Sequence, residues 1–295
     1  MNLPLNINEL IDVAAARFMQ AGLANPKLDA SLLLAHVLGI PRVRLVLEQE
    51  REITPSQAAE FEKYVTRREK SEPIAYITGK KEFWSLDFIV TRDTLIPRPD
   101  SETLVEAALK RAENIAQALE ATQSLTDIGI LDIGTGTGCL LIAILKSFPQ
   151  AHGVGVDISE PALRVARMNS ENHGTGKRVQ FIKSNWCDEV NGTFDLIISN
   201  PPYIAQGDAA HLMKDVAAYE PASALFSGED GMDSYREISR CLQAKLNPGG
   251  YALLEVGQGQ AEHVARMLEE QGFAIDEIRN DLSGIPRCVV ARKKN

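Results

Sequence analysis

The first 78 residues place hydrophobic side chains three and four positions apart, the spacing of amphipathic helices. Leu10, Ala14 and Phe18 form one apolar stripe, and Asn6 precedes it as a candidate helix cap. Residues 54–57, Thr-Pro-Ser-Gln, have the spacing of a capping box with proline at the first helical position. The predicted helices after the first are residues 26–39, 43–49 and 55–70, and one more turn after Pro73. This part of the chain is therefore predicted to be helical.

The hydrophobic period changes after this region. In residues 83–90, FWSLDFIV, every second side chain is apolar, which predicts one strand. The segment LIPRPDSETLVE follows, in which Pro97 and Pro99 give a stiff entry and Asp100 or Ser101 can cap a helix. This segment is predicted to connect two halves of the chain.

Strands and helices alternate from about residue 129 onward. Strands are predicted at 130–133, 153–156, 179–182, 194–198, 251–256 and 288–291. Helices are predicted at 138–146, 160–172, 232–245 and 259–270. This alternation predicts an α/β fold with a mostly parallel sheet covered on both faces.

Composition narrows the class of protein. The net charge is −9, and residues 1–70 hold nine basic and nine acidic side chains, so the rest of the chain carries the whole acidic excess. A surface that tracks nucleic-acid phosphates needs the opposite balance. No apolar run reaches the roughly 20 residues of a membrane span, and the first residues lack the features of a secretory signal. The four cysteines form no CxxC pair and are expected to be free thiols without a metal.

Three glycines mark a candidate ligand-binding loop. Gly134, Gly136 and Gly138 lie between a predicted strand and a predicted helix, where glycine lets the backbone turn sharply and a ligand approach closely. A dinucleotide fingerprint needs GxGxxG, and Cys139 occupies the position of its third glycine. The tighter GxGxG spacing suits S-adenosylmethionine, whose amino-acid end is not a pyrophosphate.

The next two strands end in further candidate cofactor contacts. Asp157 ends the strand GVGVD, where a carboxylate can accept hydrogen bonds from both ribose hydroxyls. A helix cap is the alternative for Asp157, although Ser159 already offers one. The following strand leads to Asn185 and Trp186, which can line an adenine pocket. Core packing is the alternative for Trp186, and the sequence leaves both open.

Asn200-Pro201-Pro202-Tyr203 follows the strand predicted at 194–198. Methyl transfer is an in-line displacement, with the nucleophile about 3–3.5 Å from the methyl carbon. A planar conjugated amino group is a poor nucleophile, so acceptors must hold its N–H groups while its face turns to the methyl. The Asn200 side-chain oxygen and the Pro201 carbonyl can accept, the prolines leave no competing N–H, and Tyr203 can pack on the flat group. A rigid strand terminus is the alternative explanation.

LDIGTGTG, GVDIS and SNPPYI, in this order, resemble class I S-adenosylmethionine-dependent methyltransferases that act on planar amino groups. Among these, the chain resembles the release-factor glutamine methyltransferase family (PrmC/HemK) over nearly its whole length. The most specific marks are EPIAYITGKKEFWSLDF at Glu72–Phe88, LIPRPDSE at Leu95–Glu102 and EPASALFSGEDGMDSYR at Glu220–Arg236.

The resemblance implies a Rossmann-like, seven-stranded sheet with a reversed last strand. It implies methyl transfer to the side-chain amide nitrogen of the glutamine in the Gly-Gly-Gln motif of peptide-chain release factors, without a direct nucleic-acid substrate. The implied cofactor contacts are Gly134, Thr135, Gly136, Thr137, Gly138, Asp157, Trp186 and Asn200. The implied substrate clamp is Asn200, Pro201, Pro202 and Tyr203, of which Asn200, Pro201 and Tyr203 are the catalytic candidates. The family often has Asp at the position of Asn185, although an amide can still donate to and accept from adenine.

The expected organisation is a helical substrate-docking domain at 1–78, a strand-containing connector at 79–100 and a methyltransferase domain at 101–295, in a cytoplasmic protein. A ribosomal-protein glutamine methyltransferase shares NPPY and a helical N-terminal domain, whereas IPRPDSE favours the release-factor branch. An adenine or guanine methyltransferase shares the clamp chemistry but is disfavoured by the acidic catalytic half. Cys139 disfavours a nicotinamide oxidoreductase. A non-catalytic binding module is also disfavoured, because it is expected to have lost some motif, and this chain has lost none.

Overall fold

The computed structural model describes residues 6–121 and 127–294, and the chain divides into two compact units. The first comprises the residues up to Lys80 together with Met213–Tyr219, and the second comprises Lys81–Leu212 and the residues from Glu220 onward. The sequence analysis assigns 213–219 to the methyltransferase domain, whereas the structure groups this segment with the helical unit.

The first unit is helical, as predicted. Its helices are α1 (Ile7–Gln20), α2 (Pro26–Leu38), α3 (Arg42–Leu47), α4 (Pro55–Glu69), α5 (Ile74–Thr78) and, later in the chain, α9 (Lys214–Tyr219). The stripe of Leu10, Ala14 and Phe18 is buried in a hydrophobic cluster with Leu33 and Phe61. The apolar stripes thus build the core of this unit.

Both predicted helix caps are present. The Asn6 side chain accepts a hydrogen bond from the Glu9 amide at 2.9 Å. In the capping box, the Gln57 amide donates to Thr54 Oγ1 at 3.3 Å, and the Thr54 amide donates to Gln57 Oε1 at 3.1 Å. Each cap satisfies amide groups that the first helical turn leaves without partners.

The single strand predicted at 83–90 is wrong. The segment is a two-stranded sheet, with β1 at Lys80–Phe83 and β2 at Leu86–Ile89. Trp84 and Ser85 form the turn, with φ of +53° and +57°, in the left-handed region that glycine usually supplies. The Glu102 carboxylate accepts a hydrogen bond from the Trp84 amide at 2.9 Å. This tertiary contact stabilises the turn, and local periodicity does not reveal it.

The second unit is built on a seven-stranded sheet in the order β5-β4-β3-β6-β7-β9-β8. The strands are β3 (Ile128–Ile133), β4 (Ala151–Asp157), β5 (Val179–Lys183), β6 (Phe194–Ser199), β7 (Leu246–Glu255), β8 (Phe273–Asn280) and β9 (Pro286–Lys293). Strands β3 to β7 pair in parallel, and β9 is antiparallel to both neighbours. The sheet expected from the resemblance, with its last strand reversed, is confirmed.

Helices cover both faces of this sheet. They are α6 (Glu102–Ala121), α7 (Cys139–Ser147), α8 (Glu160–Asn172), α10 (Asp233–Lys245) and α11 (Ala261–Glu270). Ile130 of β3 belongs to one hydrophobic cluster with α6 and α7, whereas its neighbour Leu131 belongs to another with α10 and α11. Successive side chains of a strand point to opposite faces, so β3 lies between two cores.

The expectation that all four cysteines are free thiols is wrong for two of them. Cys187 and Cys241 form a disulfide with their Cα atoms 6.2 Å apart, whereas Cys139 and Cys288 are free. The bonded pair is 54 residues apart in sequence. The pairing arises because the chain after β5 packs against α10, which spacing alone does not show. Among the described residues, no helix combines the length and apolar character needed to cross a membrane.

We predict that Thr54→Ala destabilises the helical unit by about 1 kcal/mol, because the first turn of α4 loses its capping hydroxyl. Urea unfolding followed by a probe in this unit measures the change. Thr66→Ala is the matched control, since Thr66 is exposed inside the same helix and alanine is a better helix former there. Equal stability of Thr54→Ala and wild type would contradict the capping role.

Candidate functional site

The sequence motifs meet at one edge of the sheet because β3, β4 and β6 run in parallel. Ile133 pairs with Val156 of β4 and with Ser199 of β6, so these three strands end side by side. The chain leaves β3 towards β4 on one side and returns to β6 on the other. Ligands of open α/β sheets bind at such a switch point, outside the carboxyl ends of the strands.

A cavity of about 290 Å³ lies at this edge. This volume is just below the roughly 300–1,000 Å³ that is typical of small-molecule sites. The lining includes the glycine loop, the residues that follow β4, β5 and β6, and two segments outside the methyltransferase motifs. Predicted site residues in the lining are Gly134, Thr135, Gly136, Thr137, Asp157, Trp186, Asn200 and Pro202.

The glycine loop has the form of a ligand cradle. Gly134, Gly136 and Gly138 have φ of +73°, +53° and +79°, a conformation that other residues rarely adopt. A Cβ at Gly134 or Gly136 would meet no atom within 4 Å, so the backbone there faces open space. A Cβ at Gly138 would lie 3.3 Å from Ala166 Cβ of α8. Gly138 therefore allows close helix packing, while the first two glycines expose the backbone to a ligand.

Asp157 is oriented by two backbone amides. Gly136 donates to its Oδ2 and Ser159 donates to its Oδ1, both at 2.9 Å. Ser159, and not Asp157, caps α8 by accepting from the Ala162 amide at 3.2 Å. Burial raises the pKa of Asp157. Each carboxylate oxygen keeps a further lone pair for a hydroxyl donor.

Trp186 combines the two roles that the sequence leaves open. It lines the cavity, and it also packs against the hydrophobic cluster that contains Val156 and Tyr235. Asn185 is exposed at the same part of the lining, and its side-chain nitrogen donates to Asp188 at 3.3 Å.

The chain at Tyr203 is held tightly. The Gln260 side chain donates to the Tyr203 carbonyl at 2.9 Å. A Cβ at Gly231 would lie 2.4 Å from that carbonyl oxygen, and a Cβ at Gly257 would lie 3.0 Å from the Tyr203 ring. Burial raises the pKa of Tyr203 to about 12, so the phenol stays neutral. The Ile204 amide donates to the Leu225 carbonyl at 3.0 Å, which fixes the residue after the motif.

Three predicted site residues, Gly138, Pro201 and Tyr203, lie outside the cavity lining. Pro201 is buried between two lining residues, Asn200 and Pro202. A role for Pro201 through its backbone carbonyl does not require its ring to reach the cavity.

Sequence reasoning missed two walls of the cavity. One is formed by Asp93, Thr94, Leu95 and Pro97, and the other by residues between Pro221 and Ser234. Buried Glu220 joins them, because it accepts from the Ile96 amide at 3.3 Å and forms an ion pair with Arg98. In the sequence, these segments were noticed only because they resemble the family's sequences. Their residue types do not by themselves indicate a ligand-binding role.

Sequence reasoning also missed two buried carboxylates beside the site. Asp132 of β3 accepts from Thr135 Oγ1 at 2.6 Å, and burial raises its pKa to about 7. Burial likewise raises the pKa of Glu255, at the end of β7, to about 7. Asp132 Oδ1 and Glu255 Oε2 have no hydrogen-bond partner among the described residues. In the sequence, the feature that could have indicated them is an acidic residue within an otherwise apolar strand.

Within residues 6–121 and 127–294, no group of His, Cys, Asp or Glu is arranged to hold a metal ion.

Comparison with known proteins identifies the family. Residues 9–79 match the PrmC N-terminal domain, and residues 112–225 match the methyltransferase small domain. The chain is 43% identical to the release factor glutamine methyltransferase of Rhodospirillum rubrum, over 98% of this chain and 86% of that protein. It is 41% identical to the protein of the same name from Cereibacter sphaeroides, over 96% of this chain and 97% of that one.

The chain belongs to the release factor glutamine methyltransferase family. It is thus an enzyme of the methyltransferase class. Among solved structures, the hMettl16 catalytic domain, crystallised with MAT2A 3'UTR hairpin 6, matches with a TM-score of 0.53 and 14% identity. That match covers 82% of this chain and 83% of the other. At this identity the match shows a shared fold alone.

We predict that Asp132→Asn becomes increasingly stable relative to wild type as the pH rises. The raised pKa means that folding favours the protonated acid, so this contribution is complete below about pH 4 and is lost as the pH rises through about 7. The difference in unfolding free energy between variant and wild type should grow by on the order of 1–4 kcal/mol between about pH 5 and pH 8.

Denaturant unfolding of both proteins across this pH range measures the difference. Asp87→Asn, at an exposed position of β2, is the control and should show no such trend. A difference for Asp132→Asn that does not change with pH would contradict the buried-acid assignment.

Proposed function

We propose that this protein transfers a methyl group from S-adenosylmethionine to the side-chain amide nitrogen of the glutamine in the Gly-Gly-Gln motif of peptide-chain release factors. The observation that carries the proposal is Asn-Pro-Pro-Tyr at the end of β6, beside the cavity, in a chain whose near-full-length relatives are named release factor glutamine methyltransferase. A cytoplasmic location stays a prediction.

The residues of the cavity fit S-adenosylmethionine. The open backbone at Gly134 and Gly136 can accept its amino-acid end, the Asp157 carboxylate can accept from the ribose hydroxyls, and Trp186 offers an apolar wall for adenine. When bound, this cofactor supplies an electrophilic methyl group on a sulfonium.

The residues of the clamp have a separate task, which is to position the acceptor. The Asn200 side-chain oxygen and the Pro201 carbonyl accept from the two N–H groups of the glutamine amide and turn the face of its nitrogen towards the cavity. Gln260 holds the Tyr203 carbonyl, so the turn after the prolines is fixed before substrate arrives. A fixed acceptor pair contributes to rate because it needs no rearrangement during the reaction. No strong base is required, since the nitrogen becomes acidic only as it gains the methyl group.

The direct test is mass spectrometry of purified release factor after incubation with this protein and isotopically labelled S-adenosylmethionine. The expected product carries one labelled methyl group on the glutamine of Gly-Gly-Gln. Ribosomal proteins and single-stranded nucleic acid are incubated in parallel as competing substrates. Label on either of these, with none on release factor, would overturn the proposal.

We predict that Asp157→Ala weakens S-adenosylmethionine binding by ~1.5–3 kcal/mol, the range for hydrogen bonds to a charged group. Isothermal titration calorimetry measures this, with circular dichroism as a check on folding. Asp87→Ala, an exposed aspartate on β2, is the control. Unchanged affinity in a folded Asp157→Ala protein would assign Asp157 only to the structural support of the glycine loop.

We predict that Asn200→Ala lowers kcat by on the order of 10²–10³, the cost of removing one preorganised hydrogen-bonding group. Asn200→Asp should retain more activity than Asn200→Ala, because it keeps an acceptor oxygen at the same place. Single-turnover assays at saturating cofactor separate the chemical step from binding. A near wild-type rate for Asn200→Ala would leave the motif as a rigid strand terminus only.

The helical unit is proposed to dock the release factor, because all of the candidate cofactor and clamp residues lie in the other unit. We therefore predict a much higher kcat/KM for intact release factor than for a short Gly-Gly-Gln peptide, since remote binding energy can appear as rate at the reacting centre. Steady-state assays with both substrates measure the ratio. Equal kcat/KM values for the two substrates would contradict the docking role.

A further inference from the structure

The side-chain amide of Asn200 can lie in two orientations, and only one places its oxygen towards an acceptor –NH₂. An asparagine amide carries two N–H donors on one end and an acceptor oxygen on the other. The proposed clamp fails if the nitrogen end faces the substrate, because two donors then oppose each other. Some group of the protein must therefore hold the nitrogen end.

In the structure this group is the hydroxyl of Ser101, the last residue of the 3₁₀ turn Pro99–Ser101. The Asn200 side-chain nitrogen donates to Ser101 Oγ at 3.1 Å. Ser101 is buried, so this hydrogen bond is shielded from competing water. A serine hydroxyl that accepts from Asn200 still has its own proton to donate.

The Glu255 carboxylate lies at the same place. Ser199 of β6 pairs with Leu254 of β7 in parallel, so the next residues, Asn200 and Glu255, leave the two strands side by side. The Ser101 and Asn200 side chains each lower the pKa of this carboxylate, against the larger effect of burial, so their polar groups lie near it. In its ionised form the Glu255 carboxylate only accepts hydrogen bonds, so in that form it can take the Ser101 hydroxyl proton or an Asn200 N–H.

Among the described residues the Glu255 carboxylate forms no ion pair; the charge of Arg287 lowers its pKa, and Arg287 itself is paired with Asp100 and Asp281. Glu255 is only 2% exposed. Its backbone carbonyl, and not its side chain, accepts from the Tyr235 hydroxyl at 3.0 Å. Burying an ionised carboxylate lowers the stability of the fold unless hydrogen bonds or an opposite charge compensate it.

We infer that Glu255 and Ser101 are positioning residues, which hold the nitrogen end of the Asn200 amide so that its oxygen faces the glutamine of the substrate. This inference rests on the proposed function. It adds residues from β7 and from the 3₁₀ turn, outside the Asn-Pro-Pro-Tyr motif, to the determinants of acceptor orientation.

Glu255→Gln tests the inference, because it keeps the shape of the side chain and adds an amide donor. The new donor can satisfy the Asn200 oxygen and so favours the wrong orientation. In assays with release factor, kcat should fall about 10- to 100-fold, the cost of misplaced reacting groups. The KM for release factor and the Kd for S-adenosylmethionine should stay within about twofold, because neither is bound by Glu255. Ser101→Ala should lower kcat in the same manner.

Two comparisons separate positioning from a general structural role. In an Asn200→Ala background, Glu255→Gln should lower kcat no further, because there is no amide left to orient. Glu270→Gln, at an exposed position of α11, is the matched control and should leave kcat unchanged. A wild-type kcat for Glu255→Gln, or an equal additional loss in the Asn200→Ala background, would overturn the inference.

A spectroscopic readout makes the test independent of the substrate. In ¹⁵N–¹H spectra, the Asn200 side-chain NH₂ pair is identified by its absence from Asn200→Asp. This pair should shift and exchange faster with water in Glu255→Gln, and should stay in place in Glu270→Gln. An unmoved pair in Glu255→Gln would overturn the inference even if wild type methylates release factor. A wild-type protein that labels no release factor would instead overturn the proposed function, and the spectra would still decide the orientation of Asn200.

Discussion

The hydrogen bond from the Asn200 side-chain nitrogen to Ser101 decides which end of that amide is free. An amide nitrogen of a glutamine is a weak nucleophile because its lone pair is delocalised, so the protein must present it in one orientation. Two fixed acceptors, the Asn200 side chain and the Pro201 carbonyl, can do this, provided that Asn200 presents its oxygen and not its nitrogen to the substrate. The clamp therefore depends on the side of Asn200 that never touches the substrate. Buried Ser101 accepts on that side, and buried Glu255 ends the neighbouring strand.

Sheet topology brings these groups together. Because β3, β4 and β6 run in parallel, the glycine loop, Asp157 and Asn200 end at one edge, although 66 residues separate Gly134 from Asn200. The neighbouring strand β7 adds Glu255 in register. The antiparallel strand β9 lies between β7 and β8, and none of its described residues lines the cavity. Function thus follows from which strand ends are adjacent, and each motif supplies one part.

Sequence alone predicted the elements whose signals are local. The stripe at Leu10, Ala14 and Phe18, the capping box at 54–57 and the apolar strands needed only neighbouring residues. The turn at Trp84 and Ser85 was missed because a hydrogen bond to distant Glu102 stabilises it. Strand β8 was not located, since its alternating burial places charged residues along the outer strand of the sheet. In the site, Asp157 and Asn200 could be predicted because they lie at the ends of predicted strands. The roles of Asp132, Glu220 and Glu255 could not, because they depend on contacts between residues that are distant in sequence.

A structure of the protein with S-adenosylhomocysteine and a Gly-Gly-Gln segment of release factor measures the central claim directly. The account predicts that the glutamine nitrogen lies within about 3.2 Å of both Asn200 Oδ1 and the Pro201 carbonyl, the reach of N–H···O hydrogen bonds. It also predicts that the Asn200 nitrogen stays on Ser101. A glutamine nitrogen held by other groups, or an Asn200 amide turned with its nitrogen towards the substrate, would contradict it.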